Sequence, residues 1–250
     1  MKIKSTAAAT LLVLLFLGGL LGGPSASAPA SSEGATYYVS ADGSDLNDGT
    51  SPQSAWATLD KVNATALRPG DSVSFRRGDT FSGGLVVGQS GTSRLKVTLN
   101  AYGNGDPPAI TGGVTGTCVR LDGDYITVDG LRAESCGYAG FSVYGDHGSV
   151  RNSAARNNAA GIKVSEGSDF GTYANNTLAD NNIMNVNTPG ELCGTATSLK
   201  CDDDSGAFGF LINGNDNEFT GNTVTGSTAV SYDFGHDGGA FEIFNGNRNR

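Results

Sequence analysis

Charge is sparse in this chain and cationic charge sparser still: 16 Lys+Arg face 25 Asp+Glu over 250 residues, for a net charge of −9. Such a surface does not gather the phosphates of DNA or RNA, which excludes a nucleic-acid partner. After the first segment no apolar run reaches the roughly 18 residues a membrane helix needs, so no membrane contact is expected. Cysteine is limited to four residues and histidine to two. With no Cys-x-x-Cys pair and each histidine alone, a zinc site has no support. No Gly-x-Ser-x-Gly elbow, phosphate-cradling glycine loop or EF-hand spacing occurs, so serine hydrolases, nucleotide enzymes and EF-hand calcium proteins lose their usual signatures. Leucine is scarce after Leu121, and the Leu-x-x-Leu-x-Leu frame of leucine-rich repeats is missing.

What is present begins with an export signal. Lys2 and Lys4 precede an apolar run from Ala7 to Leu21, followed by small residues through Ala26-Ser27-Ala28. Residues 1–28 read as a signal peptide, with cleavage after Ala30 as the alternative because Pro29 makes a poor new N-terminus. Its removal takes the net charge to −11. Residues 29–36 form a short linker. A secreted, extracellular chain is expected to oxidise its cysteines, and four of them allow three connectivities. The local pairing is expected: Cys118 with Cys136, 18 residues apart, and Cys193 with Cys201 across a short polar stretch.

Of 20 Asn, 16 follow residue 150, a bias that means either disorder or a turn-rich repeat. Periodicity decides for the repeat. Gly140-Phe141-Ser142-Val143 recurs as Gly161-Ile162-Lys163-Val164, Gly209-Phe210-Leu211-Ile212 and Ala240-Phe241-Glu242-Ile243, each a short strand with alternate residues inward. A second phrase, Asn152-Ser153-Ala154, Asn176-Thr177-Leu178 and Asn222-Thr223-Val224, recurs at 24 and 46, the latter read as two repeats of 23. Units of 22 to 24 residues, built of short strands and Gly/Asn/Asp turns, are satisfied by a parallel β-helix. Phe141, Val143, Ile162, Val164, Phe210, Ile212, Phe241 and Ile243 are expected to stack inside, with Asn152, Asn176 and Asn222 as an amide ladder at a tight turn.

An open coil end needs a lid, and residues 54–67 offer Trp56, Leu59, Val62 and Leu67 at helical spacing, ended by Arg68-Pro69-Gly70-Asp71. The runs Tyr37-Tyr38-Val39-Ser40, Asp42-Gly43-Ser44-Asp45, Trp56-Ala57-Thr58-Leu59, Pro69-Gly70-Asp71-Ser72-Val73 and Arg77-Gly78-Asp79-Thr80-Phe81 follow in order. Together they resemble the opening of secreted right-handed parallel β-helix proteins of the pectate-lyase-like, polysaccharide-lyase superfamily. The resemblance implies an all-β, right-handed parallel β-helix with an N-terminal capping helix. Residues 37–112 would be the cap and first turns, and residues 113–250 the repeats. The repeat beginning at Asn245 stops at Arg250, so a truncated chain is expected.

Outward residues of stacked strands form flat columns suited to a linear polymer. The register places Ser142, Lys163, Leu211 and Glu242 in one column and Tyr144, Ser165, Asn213 and Phe244 beside it. Two inserts precede the later strands, one carrying Cys193, Cys201 and Asp202-Asp203-Asp204, the other Asp233, His236 and Asp237, so their acids can converge. Convergent carboxylates suit Ca²⁺, which makes Asp202, Asp203, Asp204 and Asp233 the candidate ligands. The alternative is a solvated acidic turn. The resemblance implies a monomer acting on an acidic polysaccharide by Ca²⁺-assisted β-elimination, with Lys163, the lone lysine of the repeat strands, as base. Asp237 and Glu242 join it as catalytic candidates, and the pair that glycoside hydrolysis would use is either Asp237 and Glu242 or Asp233 and Asp237. Tyr144, Asn213, His236 and Phe244 are the candidate sugar contacts. A non-catalytic carbohydrate-binding protein would use the same scaffold.

Overall fold

The computed structural model describes residues 34–113, 116–188 and 204–250, so the expectations for residues 1–28, Cys193, Cys201, Asp202 and Asp203 lie outside the described residues. Each turn of the coil contributes a strand to three parallel sheets. Ala139–Val143 lies in sheet 3, Ser149–Arg151 in sheet 1 and Ala154–Arg156 in sheet 2, before the chain returns to sheet 3 as Ala160–Val164. Among the described residues sheet 1 has seven strands, beginning at Thr36–Val39, and sheets 2 and 3 have six each. Among the described residues no helix is long and apolar enough to cross a membrane.

The alternation that marked the strands fills the coil. Phe141, Val143, Ile162, Val164, Phe210 and Ile212 are at most 1% exposed, stacked in register from one turn to the next. Phe241 and Ile243 keep that register but are 47% and 54% exposed, because no described coil lies over the last strand. The Cys118–Cys136 disulfide forms as expected.

Two sequence expectations are corrected. The helix covers only Leu59–Asn63 rather than 54–67. Trp56 is held extended, its N–H donating to the Tyr38 carbonyl and its own carbonyl accepting from Ser40, so no helix can start before the Thr58 cap. Ser54 instead closes a short 3-10 turn, Pro52–Ser54. Trp56, Leu59, Val62 and Leu67 are all buried in the core nonetheless.

The second correction is a slip of one residue at the sheet 1 to sheet 2 corner. Ala154 pairs with Thr177 and Thr177 with Thr223, so Ser153, Asn176 and Asn222 are equivalent, and Asn152 matches Asn175 and Gly221. Asn152 takes φ 49° and Asn175 φ 56° where other coils use Gly130 and Gly221, a left-handed position that Asn tolerates. The amide ladder is therefore built without Asn152, whose side chain donates outward to Asp129. Asn176 accepts from the Ser153 N–H and donates to the Val150 carbonyl and to Asn222 Oδ1. The interval of 46 residues is one coil carrying an insert, not two repeats.

Candidate functional site

The outer face of sheet 3 carries the expected column, one turn longer than anticipated: Arg120, Ser142, Lys163, Leu211 and Glu242 are in register across successive coils. Beside it, the N–H groups of Tyr144, Ser165, Asn213 and Phe244 continue the ladder onto the preceding coil. Strands about 4.8 Å apart put Lys163 and Glu242 about 10 Å from each other.

The two ends of this strip differ in charge. At the first, the Arg120 guanidinium lies 4.5 Å from the Tyr144 ring centre, and Lys163 Nζ lies 5.2 Å from Tyr138 and 5.9 Å from Tyr144. Such contacts position cations over aromatic faces without consuming their charge. Arg120 is also bonded to Asp122 at 2.7 Å, which raises its already high pKa further. Among the described residues Lys163 has no carboxylate within ion-pairing distance.

At the other end a cavity of about 430 Å³ is bounded by Leu211, Glu242 and Phe244 from the strands and by Asp204, Phe234 and Asp237 from the inserts. The inserts meet there. Asp204 is buried, and its carboxylate accepts from the Thr188 N–H at 2.9 Å, the Ser231 hydroxyl at 2.8 Å and the Asp233 N–H at 2.9 Å. Asn187 adds bonds to Val230 and Tyr232 of the second insert. Burial alone would raise the Asp204 pKa, but the donors of Asp233, Ser231 and Thr188 outweigh it and hold the carboxyl below its ordinary value. A folded value below the unfolded one means the clamp is complete above about pH 4 and is lost as the pH falls through the lowered value. Amide exchange over residues 229–237, corrected for intrinsic rates, is therefore expected to accelerate on acidification in the native chain. In Asp204→Asn it is expected to be fast already at neutral pH.

The expected carboxylates thus take separate roles. Asp237 and Glu242 line the cavity, whereas Asp204 is engaged in joining the inserts. Among the described residues no three His, Cys, Asp or Glu side chains group closely enough to hold a metal ion. Asp204 and Asp233 by themselves supply too few oxygens for a Ca²⁺ centre, which wants six to eight. His236 is exposed and lies across its hairpin from Val230, away from the cavity lining. Arg120, Tyr138, Phe208 and Phe234 were missed. For Arg120 a signal existed: Val119-Arg120-Leu121 stands 22 residues before Phe141-Ser142-Val143 with the same alternation.

No protein-family profile matches the chain. A lacto-N-biosidase of Bifidobacterium longum subsp. longum is 40% identical over 98 residues, which is 36% of this chain and 6% of that protein, so the chain spans a small fraction of this relative's length. Among solved structures, the pectate lyase Pel9A is similar with a TM-score of 0.58 and 21% identity, over 76% of this chain and 48% of that one. A rhamnogalacturonan lyase is similar with a TM-score of 0.54 and 15% identity, over 86% and 62%. An alginate lyase from Paenibacillus sp. has a TM-score of 0.52 and 16% identity, over 67% and 56%. The fold is a parallel β-helix like that of these solved structures.

Proposed function

We propose that this chain is an exported carbohydrate-active protein that seats an acidic polysaccharide along the outer face of sheet 3 and cleaves it by β-elimination. The observation that carries the reading is the strip itself. On a chain of net charge −9, Arg120 and Lys163 are aligned over Tyr138 and Tyr144, one coil step from the cavity that holds Asp237 and Glu242. Arg120 would neutralise a uronate carboxylate, which acidifies the neighbouring C–H. Lys163, acting as the base, would remove that proton. The electron pair forms the new carbon–carbon double bond as the glycosidic carbon–oxygen bond breaks, and the departing oxygen takes a proton from solvent water. Phe244 and Phe234, exposed beside the cavity, supply ring faces for sugars.

A second reading is glycoside hydrolysis by Asp237 and Glu242. It is favoured by their shared cavity and by the glycosidase name of the sequence relative. The two readings leave different products. The test presents pectate, alginate, glycosaminoglycans and neutral oligosaccharides to the purified protein, with Ca²⁺ and with chelator, and follows both ultraviolet absorbance and new reducing ends. Elimination is expected to raise the absorbance on a uronate polymer. Reducing ends without absorbance would transfer the assignment to Asp237 and Glu242, and binding with neither product would leave a carbohydrate-binding protein.

A further inference from the structure

We infer that sheet 1 carries a second, non-catalytic groove that binds an anionic polysaccharide chain, on a face the proposed reaction does not use. The cavity on this side, about 670 Å³, is larger than the one on sheet 3. Its wall is a column of rings from three successive coils: His147 stacks on Tyr125 at 4.4 Å and on Phe170 at 5.3 Å. All three residues adopt left-handed backbone, with φ of 53°, 55° and 58°. That conformation favours Gly, Asn and Asp and is strained for bulky side chains, and such strain collects where a site is built. Phe170 is 52% exposed, so the column does not serve to fill the core.

The floor is polar and the rim is cationic. Ser149 and Thr172 occupy the same outward column of sheet 1, and Lys96, Arg151 and Asn175 stand around them. The lining contains no carboxylate, although the chain as a whole is acidic. Arg151 is shared with Asp129 at 3.0 Å and is half exposed, while Lys96 has no ion-pair partner among the described residues. The lining runs from the coil of Lys96 to that of Phe170, three coil steps, or about 14 Å along the axis. An elongated groove with hydroxyl floor, aromatic wall, an unpaired Lys96 and a half-exposed Arg151 shared with Asp129 matches a linear sugar chain bearing carboxylates or sulfates. Ring edges, with the Tyr125 hydroxyl and the His147 nitrogens among them, present hydrogen-bonding groups along the same wall.

The test is affinity electrophoresis of the full chain through gels containing polygalacturonate, a sulfated glycosaminoglycan or a neutral xylan. It is run on the native protein, Lys96→Glu, Phe170→Ala and Lys163→Ala, with thermal melts as a folding control. Retardation by at least one anionic polymer, about ten-fold weaker in Lys96→Glu and also weakened by salt, is the expected result. Which anionic gel retards the chain separates carboxylate from sulfate recognition. The share of the retardation that Lys96→Glu removes should persist in Lys163→Ala, whose residue lies outside this groove, and this keeps the groove distinct from the sheet 3 reading whether or not that reading holds. Native retardation in both Lys96→Glu and Phe170→Ala, retardation by xylan alone, or loss confined to Lys163→Ala would overturn the inference. So would a lowered melting temperature in Phe170→Ala with unchanged binding in both groove variants, since the rings would then only brace the coils.

Discussion

Truncating Phe210 to alanine is expected to lower the unfolding free energy by about 3–5 kcal/mol, measured as a shift in urea midpoint at constant slope. The ring has no solvent exposure and sits where aromatic packing from three successive coils converges: it stacks on Phe241 at 4.9 Å and meets Phe219 edge-on at 5.0 Å and Tyr173 at 6.3 Å. In a solenoid each turn contacts only its neighbours, so removing one inward ring opens a cavity that no distant element can collapse to fill. Tyr173 lies on the inward side of sheet 1 and is fully buried, so the hole would be walled by large side chains held in place by their own strands. Phe244→Ala is the control. It follows the last strand, Gly239–Ile243, on the next coil and is 73% exposed, so a change within about 0.5 kcal/mol is expected. Equal effects at the two positions would refute the inward and outward assignment of the whole sheet 3 column.

Replacing Asn176 with leucine is expected to cost about 2–5 kcal/mol, although the side chain is of similar size and no charge is lost. Asn176 is 1% exposed and serves three neighbours at once. Its Oδ1 accepts from the Ser153 N–H at 3.1 Å, and its Nδ2 donates to the Val150 carbonyl at 2.8 Å and to Asn222 Oδ1 at 3.0 Å. Leucine would strand the buried Ser153 N–H and take one donor each from the Val150 carbonyl and Asn222 Oδ1, and a stranded buried group alone costs about 1–3 kcal/mol. Asn152→Leu should cost less, about 1 kcal/mol, because that side chain bonds outward to Asp129 and what is lost is mainly tolerance of the left-handed backbone. The difference between the two substitutions, read by chemical denaturation, decides which asparagine belongs to the ladder.

That contrast also marks how far residues alone could be read. Strands were legible where an apolar residue alternates with a polar one, as in Phe141-Ser142-Val143 and Ile162-Lys163-Val164, because burial on one side of a pleat leaves a period of two. The outward column from Ser142 to Glu242 followed from the same phase. The ladder was misread by one position because Asn152-Ser153 and Asn175-Asn176 fill two adjacent sites, a left-handed corner and an amide rung, that both accept asparagine. The helix was overextended since Trp56 and Leu59 fit helical spacing equally well when one is pinned in a bridge to Val39. The aromatic column of Tyr125, His147 and Phe170 was invisible, as no propensity places such side chains at positive φ. The clamp by Asp204 was hidden too, because its partners Thr188, Ser231 and Asp233 are joined only through the fold.

If cleavage takes place over Lys163 on the outer face of sheet 3, removing its amine must slow it. The most direct test is the initial rate of ultraviolet absorbance on the uronate polymer that the native protein turns over best, compared between the native chain and Lys163→Ala at matched thermal stability. A loss of about 100-fold or more is expected for removal of a positioned base. A Lys163→Ala protein that cleaves at the native rate would contradict it.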